Sequence, residues 1–138
     1  MRKLRCLIAG ALVALALAAC GGAGSGEEGG ALVGDPDRGE ELYNQSTLGA
    51  RSAAGCVTCH KFDASEGDNV LAPYTSDVKG AGERVSGLSA EQYLRQSIID
   101  PNAYIVEGYA PGVMYQNWGE DLTEQEIVDL VAYLMSLQ

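Results

Sequence analysis

The chain has 138 residues, a formal net charge of −10, and nine Lys and Arg against nineteen Asp and Glu. That length fits one domain, and the lack of any basic cluster excludes a surface that tracks nucleic-acid phosphates. The hydrophobic share of 46% is ordinary for a globular chain, but much of it sits in the first twenty residues.

Those residues read MRKLRCLIAGALVALALAAC. Arg2, Lys3 and Arg5 form a positive start, and an apolar run follows from Cys6 to about Ala18. The run is short for a bilayer and ends in small residues, which is the form of an export signal. An uncleaved N-terminal membrane anchor is the alternative. Leu17-Ala18-Ala19-Cys20 resembles the lipobox of bacterial lipoproteins. That resemblance implies a signal peptide over residues 1–19 and a lipid on Cys20, with attachment to the extracytoplasmic (periplasmic) face of the membrane. Cys6 lies inside the signal and receives no role. Loss of residues 1–19 removes three positive charges and no negative one, so −10 becomes −13. Residues 20–34 then form the lipidated Cys20 and a flexible, glycine-rich linker, GGAGSGEEGGALVG. Fourteen such residues span about 20 Å.

The folded part is expected over residues 35–138. Asp35-Pro36 is a helix start, with Asp to cap free amides and Pro at the first helical position. This helix is expected to run to near Thr47. Ser89 and Gln92 have capping-box spacing and open a second helix that Pro101 stops. Thr123 and Glu126 repeat the signature before a third, in which Ile127, Leu130, Val131, Leu134 and Leu137 recur at helical intervals. No alternating strand stands out. The expected fold is all-α: a small domain of three or more helices with long loops at 61–88 and 102–122. Loops this long need something to pack against, and a large apolar cofactor would supply it.

The stretch Cys56-Val57-Thr58-Cys59-His60 carries the chemistry. Zinc needs about four ligands, and the folded part holds no further Cys or His. A redox dithiol belongs at a strand-to-helix junction of an α/β fold, which this pattern lacks. Covalent haem attachment accounts for all three residues. Two thiols at this spacing add across the vinyl groups of one porphyrin, and the adjacent histidine is set under the iron. The cofactor is therefore one haem c, on Cys56 and Cys59, with His60 as proximal ligand.

His60 is the only histidine, so a second imidazole is excluded and a Met thioether is the remaining common ligand. Met135 falls in the last helix, where a packing role is favoured. Met114, in the irregular segment YAPGVMYQNWGE, is the expected distal ligand. Lys79, water or an open site are the alternatives.

The order CVTCH, long loop, PGVM and terminal LVAYLMSL resembles the class I monohaem cytochromes c, over Gly34 to Gln138. The resemblance implies that the first and last helices cross at Gly39, against Tyr133 or Leu134. It also implies a proline carbonyl that orients the proximal histidine, here Pro73. Tyr74-Thr75-Ser76 replaces the leucine usual after that proline, and Tyr115 replaces the proline usual after the methionine. Trp118 is expected either against the haem edge or in the ordinary core. The segment SIIDPNAYIVEGYAPGVM resembles the cytochrome domains of respiratory membrane complexes. These include the lipid-anchored monohaem subunit of alternative complex III, a quinol-oxidising assembly, and the haem domain fused to subunit II of some terminal oxidases. The chain's own signal and short length favour the separate lipoprotein.

The implied function is single-electron transport in a respiratory or photosynthetic chain, without catalysis of its own. Partners would be other redox proteins, such as a quinol-oxidising complex or a terminal oxidase. A haem enzyme or gas sensor with an open distal site, or a purely structural haem subunit, are the alternatives. Asp63, Glu66 and Asp68 are expected to form a solvated loop face.

Overall fold

The computed structural model describes residues 31–68 and 70–138. Helix α1 (Pro36–Tyr43) starts at Asp35, whose carboxylate accepts hydrogen bonds from the Asp37 and Arg38 amides at 3.0 and 3.3 Å. It stops at Tyr43, earlier than the sequence pattern indicated. Asn44 is the cause: its side-chain amide donates to the Glu40 carbonyl and satisfies the helix end.

The chain then makes a feature that hydrophobic alternation did not reveal. Strands β1 (Thr47–Leu48) and β2 (Ala53–Ala54) pair antiparallel, Thr47 opposite Ala54 and Leu48 opposite Ala53. Two residues per strand are too few for a period of two to register. The turn between them uses left-handed backbone at Gly49 (φ 77°) and Ser52 (φ 51°).

Two further helices, α2 (Ala81–Arg84) and α4 (Trp118–Asp121), lie inside the expected loops and are one turn each. Short 3₁₀ turns at Ala64–Glu66 and Thr75–Gly80 structure the first of those loops further. Helices α3 (Ala90–Ile99) and α5 (Glu124–Ser136) begin at Ser89 and Thr123, each with both halves of the capping box formed.

Helix α5 supplies the centre of the core through Ile127, Leu130, Val131, Tyr133 and Leu134. It packs chiefly on α1, and less extensively on α3, which contributes Tyr93, Leu94 and Ile98. Gly39 lies at the α1–α5 crossing, as the resemblance implied. A Cβ there would overlap the Asp129 carbonyl and stand 2.7 Å from Tyr133 Cβ. One turn on, the Tyr43 and Tyr133 rings meet at 5.3 Å. Docking on α5 begins before α1: Gln125 Nε2 donates to the Val33 carbonyl at 2.9 Å. Among the described residues, no helix is long and apolar enough to cross a membrane.

A buried carboxylate ties the two helices together. The Asp129 side chain is 3% exposed and accepts from the Asp35 amide (2.8 Å), Gln125 Nε2 (2.8 Å) and Arg38 Nη2 (3.1 Å). Burial alone would raise its pKa, but these donors outweigh it and hold the carboxyl below its ordinary value. A depressed folded-state pKa contributes stability above the unfolded value of about 3.9, and that contribution is lost as pH falls through the folded value. Asp129→Asn keeps an acceptor but loses the charge. It should cost about 1–2 kcal/mol at pH 7, with the gap to wild type closing below about pH 4. Urea midpoints of both proteins at pH 7 and pH 3 check this; an equal gap at both values would exclude the linkage.

Candidate functional site: a haem cleft

The cysteine stretch leaves β2 through Gly55. Its amide donates to the Ser46 carbonyl at 2.9 Å, and a Cβ there would collide with the Gln45 carbonyl, so only glycine permits this approach. Cys56–Thr58 then winds into a 3₁₀ turn, with the Cys59 and His60 amides both donating to the Cys56 carbonyl (3.1 and 2.9 Å). Thr58 Oγ1 closes the turn on the Gly55 carbonyl at 2.6 Å. Both thiols and the imidazole therefore sit on one short piece of chain. Burial pushes the Cys56 thiol up to about 11.

His60 Nδ1 is 2.9 Å from the Pro73 carbonyl oxygen. A carbonyl can only accept, so Nδ1 carries the proton and Nε2 keeps its lone pair. Burial lowers the His60 pKa, only partly offset by the Pro73 bond, and so favours the neutral ring, the ligating form. Pro73 is held in place by its neighbours. The Thr75 and Ser76 amides donate to the Lys61 and Phe62 carbonyls, each at 2.9 Å, pinning the 73–76 segment beside the residues that follow His60. From α1, the Tyr43 hydroxyl meets Thr75 Oγ1, and burial pushes that phenol well above its ordinary pKa. The Gly39 crossing thus fixes the helix that braces the histidine's support.

His60 faces a cleft with about 1120 Å³ of empty space, its open mouth included. Its walls are mainly apolar and come from α1, α3, α5 and the 101–114 loop, with Leu130 and Leu134 from α5 among them. A second hollow of about 730 Å³ shares Cys56, His60, Met114 and Trp118 with it. Among the described residues, no acidic side chain lines the first cleft, and Arg84 is its one cation. Arg84 stacks over the Tyr93 ring at 5.7 Å and donates to the Asp77 carbonyl at 2.9 Å.

Met114 lines both hollows, whereas Met135 and Lys79 line neither. Met135 Sδ lies 3.0 Å from Gln138 Nε2 at the end of the chain. Trp118 belongs to the core, one of its two expected places, and also lines the cleft. Glu66 and Asp68 are exposed and Asp63 is half-buried; Asp63 and Glu66 accept backbone amides, of Ser65 (2.7 Å) and Phe62 (2.9 Å). Among the described residues, no cluster of three His, Cys, Asp or Glu side chains is placed to hold a metal ion. Arg84, Tyr93 and Tyr104 escaped the sequence reading, because nothing in GAGERV or in spacing alone marks a cleft wall. Cys20 and the signal lie outside the described residues.

The folded chain is a small helical domain around an apolar cleft, with Cys56 and a pre-oriented histidine on its wall and Cys59 lining the hollow beside it. It belongs to the cytochrome c family: the family model described as Cytochrome c matches residues 36–138. No curated protein and no solved structure matches the chain. Members of this family carry electrons, and the Cys56–Cys59 pair attaches one haem c covalently. The mainly apolar walls suit that group, and Arg84 offers a cation to its carboxylates.

Proposed function

We propose that this cytochrome is a lipid-anchored carrier on the extracytoplasmic face of a bacterial membrane, with His60 and Met114 as the axial pair. It would serve as a subunit or close partner of a quinol-oxidising complex such as alternative complex III. Haem c, when bound, supplies a one-electron couple between ferric and ferrous iron, and a thioether ligand favours the ferrous side. The observation that carries the axial assignment is the Nδ1–Pro73 bond in a cleft that Met114 also lines: it leaves Nε2 as the coordinating nitrogen. The chain's own part is to fix that imidazole, raise its basicity through Pro73 and exclude water with apolar walls.

The anchor rests on Leu17-Ala18-Ala19-Cys20, and the complex on the resemblance of SIIDPNAYIVEGYAPGVM to domains of respiratory assemblies. Two or three acyl chains on Cys20 give stable attachment where one does not. The wild type should therefore fractionate with membranes and bring subunits of a quinol-oxidising complex with it on detergent purification. Cys20→Ala should shift most of the haem-stained protein to the soluble fraction. A wild type that is soluble, with an unmodified N-terminus, would remove the anchor from this reading.

A further inference from the structure

Residues 111–116 form the irregular segment that carries Met114, and a methionine side chain has three rotatable bonds and no branch to stiffen it. Tyr115 follows, so no proline ring fixes the backbone there. Something else must hold this segment, and two polar groups reach it from different elements.

The first comes from behind. The Tyr115 hydroxyl donates to Asp121 Oδ2 at 2.7 Å, and Arg51 Nη1 donates to Asp121 Oδ1 at 2.6 Å. The Asp121 side chain is 2% exposed, so the carboxylate is desolvated and both donors are needed. The Tyr115 ring also meets Trp118 edge-on at 4.8 Å. Arg51 stands on the β1–β2 turn, where the Ala50 amide donates to the Asp121 carbonyl at 3.1 Å. The turn and α4 thereby form one support for Tyr115.

The second comes from the end of α3. Asn102 Oδ1 accepts the Gly112 amide at 2.8 Å, and its amide nitrogen donates to Gln116 Oε1. Gln116 Nε2 in turn donates to the Met114 carbonyl. The backbone is thus tied at 112, at 114 and, through the side chain, at 115.

We propose that Asp121, Tyr115, Asn102 and Gln116 are positioning residues that hold Met114 toward the iron and keep it there. This rests on Met114 as the sixth ligand. The buried link through Asp121 is the stronger, because hydrogen bonds to a charged acceptor exceed those between exposed neutral amides.

The test is imidazole binding to the ferric holoprotein, which requires the thioether to leave. Tyr115→Phe keeps the ring and removes only the hydroxyl. It should raise imidazole affinity on the order of tenfold, while Gln116→Ala should raise it about threefold. Asp121→Asn should match or exceed Tyr115→Phe, and combining those two should add little, since both break one link. Tyr115→Phe with Gln116→Ala should multiply. Haem should stay attached in every variant, and the weak near-infrared sulfur-to-iron band of Tyr115→Phe should fade at a lower imidazole concentration than in wild type. If Asp121→Asn does not fold, the two milder variants still decide. Wild-type imidazole affinity in both, with strong binding by Met114→Ala, would overturn the clamp and leave the ligand standing. Binding by the wild type as strong as by Met114→Ala would overturn the ligand and the clamp together.

Discussion

Met114→Ala should convert a closed haem into one that binds carbon monoxide readily in the ferrous state. With the proposed His60–Met114 pair, the thioether closes the sixth position, so carbon monoxide should bind only to the minor fraction with the thioether dissociated. With that fraction on the order of 1%, removing the side chain raises apparent affinity about 100-fold. The midpoint potential should fall as well, because the thioether's preference for the ferrous iron is lost. The near-infrared band should disappear. Met135→Ala is the control: its sulfur lies outside the cleft, beside Gln138, so the spectrum should not change. Haem should remain bound in both variants, since Cys56 and Cys59 hold it independently of the distal side. Rapid carbon monoxide binding by the unmutated protein would favour the gas-sensor or enzyme reading. Spectral loss in Met135→Ala alone would mean that the ligand is Met135.

The parts of this molecule that a reader can take from sequence are those set by short-range chemistry. Ser89 with Gln92 and Thr123 with Glu126 announce α3 and α5, because a capping box is a bond between residues three apart. The haem attachment stretch is legible for the same reason. Where α1 ends was less so, since Asn44 competes with helix continuation through one side-chain bond to Glu40. The hairpin and the one-turn helices α2 and α4 have too few residues to show a period. The residues around Met114 were illegible in a deeper sense. Arg51 and Asp121 are seventy positions apart, and neither carries a local signal that it will meet the other. Pro73 and Gly39 became readable only through family resemblance, because each acts on a residue distant in sequence.

Gly39→Ala should be among the most destabilising single-methyl additions in the domain. Two effects oppose each other. Alanine favours a helix interior over glycine by about 1 kcal/mol. Against that, the new Cβ would overlap the Asp129 carbonyl and approach Tyr133 Cβ to 2.7 Å. The Asp129 carbonyl is helix backbone and cannot rotate aside, so α1 must back away from α5. Overpacking of this kind costs about 1–3 kcal/mol, occasionally more, and here it works against backbone on both sides. A net loss of about 2 kcal/mol should lower Tm by about 10–15 °C in a domain of this size. The shift has a path to the site: α1 carries Tyr43, Tyr43 meets Thr75, and Thr75 lies two residues from the carbonyl that holds His60. Gly80→Ala is the matched comparison, because a Cβ there meets nothing within 4 Å, and it should change stability by less than about 0.5 kcal/mol. Thermal unfolding of the two holoproteins, followed by circular dichroism, separates them. Equal Tm values would show that α1 and α5 can part at no cost and that their crossing does not set the stability of the haem cleft.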